Sequence, residues 1–250
     1  MIKEEISLET TVQSLIRWQE KRNDGIFMKQ LFEFHNGNSF NLEIITSPPL
    51  SPVVQSKFIH AYPALDENYN LVFYLILDVF DNSFTYSGHD PASKMTSYLT
   101  KSELIISDPN SEEVHSNVVA LEDHVPITQA EADARIIAWE FHRSEWIDQK
   151  TDPTIAEGGI YEVFAIPSGD ILDHPKATHA AYFSLVSNST IPVEPPMPLY
   201  QADLVIKNTT PQSVLYYDNM VCPVPPFHLL GSLKIHLSDF YLLNVAKGIT

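Results

Sequence analysis

The sequence predicts an α+β fold made by tandem duplication, each copy an N-terminal helix followed by a mainly antiparallel sheet. Three observations carry that expectation. A tryptophan-bearing segment of helical periodicity occurs twice, 121 residues apart. Apolar runs of strand length follow each occurrence, and proline-rich or polar stretches separate those runs.

The first helix is signalled by Ser7, a good N-cap, ahead of Leu8, Val12, Leu15 and Ile16 at helical spacing. The second opens on Thr128-Gln129-Ala130-Glu131, a capping box. In it the threonine hydroxyl accepts from the third amide while the glutamate reaches back. Ala134, Ile137 and Phe141, with Ile136 alongside, then recur at helical spacing to about Trp146-Ile147. Each apolar stripe is expected to lie on the strands that follow it.

Short strands are expected at Leu31–Phe34 and Val163–Ile166, ahead of turns carrying Gly37 and Gly169. Leu71-Val72-Phe73-Tyr74-Leu75-Ile76-Leu77 is apolar at every position, which predicts a central strand covered on both faces. Tyr200–Ile206 alternates, with Gln201, Asp203 and then Lys207 on one face, which predicts a half-exposed strand. Further strands are expected at Glu103–Ile106 and Lys234–Leu237. Prolines outnumber glycines 18 to 8 and cluster at Pro48–Pro52, Pro192–Pro198 and Pro223–Pro226, stretches that read as stiff loops.

The repeat itself rests on four matches in the same order. Ile6–Arg22 lines up without gaps on Ile127–Arg143 with four of 17 positions identical, Trp18 on Trp139 among them. Leu31–Asn38 resembles Val163–Asp170, His60-Ala61-Tyr62 resembles His179-Ala180-Ala181-Tyr182, and Phe73–Asn82 resembles Leu199–Asn208. The copies then span 1–125 and 126–250, joined through the polar stretch Asp108–Pro126.

Composition narrows the function classes. With 44% hydrophobic and 19% charged residues, the 250-residue chain is globular. Its net charge of −17 divides as −10 (8 basic, 18 acidic) over residues 1–125 and −7 (7 basic, 14 acidic) over 126–250. A field of that sign repels phosphate backbones and anionic lipid, and attracts basic partners. The longest apolar run is seven residues, far short of a membrane span. One cysteine, Cys222, excludes an intrachain disulfide or a multi-thiolate metal site. The start, Met1-Ile2-Lys3-Glu4-Glu5, lacks the apolar stretch of a secretory signal, so cytoplasm is the expected compartment.

No glycine-rich phosphate loop, GxSxG, HExxH or EF-hand spacing occurs, and no catalytic residue, cofactor or metal set is expected. Cys222 with His228 six residues on has the residue types of a thiol enzyme. Its setting of prolines without glycine argues instead for a packed thiol. The candidate binding residues are His60 with Tyr62 and, at the matching place in the second copy, His179 with Tyr182. Such a pair can hold a ligand or supply a base. It can equally be a core histidine repeated because the fold repeats. The expected function is a non-enzymatic, acidic protein-binding or adaptor protein, with an inhibitor- or immunity-type protein as a variant. The alternative is a hydrolase or small-ligand binder with a His/Tyr site at the junction of the repeats.

Overall fold

A computed structural model of the chain describes residues 6–34, 37–44, 56–81, 95–106, 127–153, 159–168, 171, 178–187, 200–208, 217–218, 222–224 and 240–248. The fold is α+β. Among the described residues four helices, α1 Leu8–Lys21, α2 Gly25–Phe34, α3 Gln129–Thr151 and α4 Tyr241–Ala246, accompany an antiparallel sheet. Its strands are β1 Ser39–Asn41, β2 Phe58–Leu65, β3 Leu71–Leu77, β4 Thr100–Ile105, β5 Val163–Pro167, β6 His179–Ser187, β7 Tyr200–Asn208, β8 Tyr217–Asp218 and β9 Cys222–Val224. None of the helices described is long and apolar enough to cross a membrane.

The strands pair in the order β8-β7-β6-β1-β4-β3-β2-β5-β9. Strands from the two halves of the chain therefore share one sheet. Phe40 of β1 pairs with Ala181 of β6, and Ile59 of β2 pairs with Ile166 of β5. The end strands β8 and β9 are close in sequence, and Asp218 to Cys222 spans at most about 14 Å of extended chain. Nine flat strands at about 4.8 Å spacing would hold their edges roughly 38 Å apart. The sheet must curl until its ends face one another.

Curling gives the sheet an inner and an outer face. The inner face carries Phe40, Ile59, Phe73, Phe164, Phe183 and Leu204 into one large core. Phe183 is its hub: its ring lies 5.0 Å from Trp139, 5.6 Å from Phe32, 5.9 Å from Phe73 and 6.1 Å from Phe40. Trp18 of α1 and Trp146 of α3 join the same core, so all three tryptophans are interior. Outside, α1 and α4 cover Tyr62, Val72, Tyr74, Ile76 and Ala165, while the first half of α3 covers Ala180, Tyr182 and Val205.

The helix starts match the sequence reading. The Ser7 hydroxyl accepts from the Thr10 amide at 3.0 Å, and Thr128 and Glu131 form the full capping box. Every residue of Leu71–Leu77 is buried, as a doubly covered strand requires. On α1 the packed face is Thr11, Ser14, Leu15 and Trp18. The two buried hydroxyls bond back to the Ser7 and Thr10 carbonyls at 2.9 Å.

Four local expectations are corrected. Leu31–Phe34 is helical: it continues α2, which Asp24 caps through the Phe27 amide at 3.0 Å, and Met28, Leu31 and Phe32 form its buried face. The strand lies beyond Gly37, at β1. The strand read as starting at Glu103 begins at Thr100, whose hydroxyl donates to the Glu43 carbonyl. β7 is buried from Ala202 to Lys207, with Gln201 left exposed, where half-exposure was expected, because α3 lies over Asp203 and Lys207. Arg135 pairs with Asp203 at 3.3 Å, and the Lys207 ammonium sits 5.9 Å from the Tyr182 ring centre. Finally, α3 packs through Ala132, Ile136, Trp139, Trp146 and Ile147, which leaves Ile137 47% and Phe141 79% exposed. Lys234–Leu237, the 108–126 junction, Gly169 and the first two proline clusters lie outside the described residues.

The inward face of α3 separates two adjacent isoleucines. Ile136→Ala should lose about 2–5 kcal/mol of stability, as buried Ile→Ala changes do. Ile137→Ala should stay within about 0.5–1 kcal/mol. Urea denaturation of the two variants measures both, and equal losses would contradict this placement of the helix.

Candidate functional site

Of the four sequence-predicted binding residues, His60 and Tyr62 are two apart on β2 and point to the same outer face. His179 and Tyr182 are three apart on β6, so the extra residue sends them to opposite faces. All four are buried, at 3% exposed or less. Strands β1, β4 and β3 stand between β6 and β2, so the two histidines lie four strands apart in the sheet. The structure brings His60 and Tyr62 together and does not bring His179 to them.

What unites His60 and Tyr62 is Asp81, a residue the sequence reading did not select. Asp81 follows the 3₁₀ turn Asp78–Phe80 at the end of β3, and its side chain is fully buried. One carboxylate oxygen, Oδ2, lies 2.6 Å from His60 Nδ1 and accepts the Tyr62 hydroxyl. The other, Oδ1, accepts the Leu242 amide of α4 at 3.0 Å, while the Asp81 carbonyl takes the Tyr241 amide at 3.3 Å. Nδ1 is the ring nitrogen through which the imidazole can donate to the carboxylate. Phe240, 4.4 Å from the His60 ring, closes the cluster. Burial, the Asp81 charge and the Tyr62–Asp81 hydrogen bond hold the Tyr62 hydroxyl well above the usual phenol range, with the Leu243 backbone opposing them.

A buried carboxylate is tolerated only when donors surround it, and here three groups converge on two oxygens. The arrangement also completes α4, whose own N-cap residue, Phe240, makes no side-chain cap bond. A second buried acid holds the other end. Glu162 pairs with Arg22 at 2.6 Å and with Lys247, just beyond α4, at 2.6 Å. Arg22 also donates to the Ile160 carbonyl and, at 2.9 Å, to Gln19 Oε1. Burial lowers the Arg22 pKa against the opposing pull of Glu162. Gly159, at φ +72°, lets the chain turn against Asn23, where a Cβ would stand 1.8 Å from Asn23 Oδ1. α4 is thus fixed at its start by the Asp81 carboxylate and at its end by the Lys247 ammonium that Glu162 holds, and both charges have the sign that suits a helix dipole.

Chemically, a carboxylate-oriented imidazole is what a general base uses. With side-chain exposures of 3% for His60 and 0% for Asp81, the pair serves here as a structural clasp between β2, β3 and α4. Among the described residues, no group of three or more acidic, histidine or cysteine side chains is placed to hold a metal ion. The charge directly after the wholly apolar strand is Asp78, and Asp81 carried no sequence signal of its own. Its partners lie 19, 21 and 161 residues away, and no local pattern marks them. Comparison with protein-family models, curated proteins and solved structures finds no match.

Asp81→Ala leaves Tyr62, His60 and the Leu242 amide without their acceptor and should cost about 3–5 kcal/mol. Tyr62 supplies a pH signature. Its folded pKa is raised, so its contribution is whole below the unfolded phenol value of about 10 and is lost as pH rises above it. Tyr62→Phe should be less stable at pH 8 yet lose less on going to pH 11. Urea midpoints at the two pH values read both effects, and parallel pH profiles would contradict the assignment.

Proposed function

We propose that this chain is a non-enzymatic, acidic protein-binding module, acting as an adaptor or as an inhibitor- or immunity-type protein toward a partner with a basic surface. The observation that carries the reading is the net charge of −17, spread over both halves. Charge of that sign steers basic proteins into encounter and disfavours nucleic acid and anionic membranes. The burial of His60, Tyr62, His179 and Tyr182 supports it further, since side chains committed to the interior leave recognition to the surface. A single cysteine fits a reducing compartment, and cytoplasm is the expected one.

The reading includes a tandem duplication, supported by the way the halves exchange strands. β1 pairs with β4 of its own half and β6 of the other, while β5 pairs with β9 of its own half and β2 of the other. Trp18 and Trp139, matched by the repeat, both end in the interior core. The Leu31–Asn38 match does not help, since it sets a helix against a strand.

A second reading, a hydrolase or small-ligand binder, has the 2.6 Å His60–Asp81 contact in its favour. Its site would then be His60 with Tyr62 alone, without His179.

The first reading is tested by tagged full-length protein incubated with extract at low and moderate salt, followed by affinity measurement with the captured stoichiometric partner. Affinity should fall by about tenfold or more between 50 and 300 mM salt as screening shortens the reach of the charge. Binding of equal strength at both salts would overturn an electrostatic partner.

A further inference from the structure

The apolar stripe that the sequence assigns to the core of α3 is, in the fold, on the outside. Ala130, Ala134, Ile137 and Phe141 are all exposed and recur at spacings of four, three and four residues. They form one seam about 16 Å long on a straight helix. Phe141, at 79%, is the most exposed large apolar side chain among the described residues, and Ile137 stands one turn before it. The opposite face of the same helix holds the sheet, through Ile136, Trp139 and Trp146. The seam therefore has no part in fixing the helix.

The charges beside the seam decide what fits it. The charged residues of α3 at exposed positions are Glu131, Glu140, Glu145 and Asp148, all carboxylates. Glu131 serves the capping box, Asp148 meets Lys29 at 2.5 Å, and Glu145 lies 3.9 Å from His142. The helix's cations, Arg135, Arg143 and Lys150, are half-buried, and Arg135 is drawn under the helix to Asp203. A second copy of this chain would bring the same carboxylates against these and a further −17. Like charges at that range repel, so self-pairing through the seam is disfavoured. A partner with apolar residues at helical spacing and lysine or arginine at its flanks matches both features.

From this we infer that α3 presents a docking seam, anchored by Ile137 and Phe141, for a basic amphipathic helix of the partner protein. The inference rests on the acidic protein-binding reading and gives that reading an address. Phe141 supplies the aromatic anchor, Ile137 the aliphatic one, and the acidic margin sets sign and orientation.

The test uses full-length protein and two fluorescent synthetic peptides of identical leucine and lysine composition. In one the leucines recur at i, i+3, i+4 and i+7; in the other the order is scrambled so that no apolar face forms. The patterned peptide should bind about tenfold or more tightly than the scrambled one, and binding should weaken with salt. Phe141→Ser and, separately, Ile137→Ser should each remove that preference while the melting temperature stays within a few degrees of wild type. Variants that keep the preference overturn the seam but leave an acidic binding module intact. Absence of salt-sensitive binding by either peptide overturns both. A dimer in sedimentation that Phe141→Ser dissolves overturns the inference in favour of a second copy as the occupant.

Discussion

The constraint on which the structure depends is a single interior shared by strands from both halves of the chain. Because the sheet curls until β8 and β9 face each other, every long strand turns one side toward the same core. Phe183 from the second half touches Phe40 and Phe73 from the first, and Trp139 and Phe32 close over it. Aromatic side chains of this size dominate burial energetics, so removing either half would expose most of what the other buries. The helices follow from that arrangement. α1, α4 and the first half of α3 cover outer-face residues that would otherwise meet water, while α1, α2 and α3 send Trp18, Phe32, Trp139 and Trp146 to the interior.

The polar interior is consistent with the same constraint. A six-residue C-terminal helix is too short to hold itself, and it gains its position from two buried acids belonging to distant segments. Asp81 receives its first turn and Glu162, through Lys247, its last. Each acid is also tied to its own neighbourhood, Asp81 to β2 and Glu162 to α1. The carboxylates therefore act less as charges on a surface than as fixed acceptors that settle where separate chain segments meet. His60 and Tyr62 are members of that clasp, which explains why a histidine and a tyrosine stand two apart on a strand without facing solvent.

Much of the local structure was legible in the sequence because it is decided locally. Capping at Ser7 and Thr128 needs only residues three apart, and a strand apolar at all seven positions, Leu71–Leu77, can lie only inside. What could not be read depends on partners far along the chain. Asp203 and Lys207 read as a wet face until α3 covers them. The choice between two apolar stripes one residue apart on α3, Ile136 or Ile137, is made by the sheet it meets and not by periodicity. Leu31–Phe34 read as a strand because a four-residue window with three apolar residues looks the same in either state. The candidate site was half-legible: His60 and Tyr62 were selected, while Asp81, which gives them their role, is joined to them only by the fold.

A shared interior makes one measurement decisive. Residues 1–125 and 126–250 expressed separately, beside the intact chain, can be followed through urea by tryptophan fluorescence and circular dichroism. A common core predicts that the intact chain unfolds in one cooperative transition and that neither half alone shows one. A half that unfolds cooperatively on its own, at a midpoint close to that of the intact chain, would contradict the shared interior.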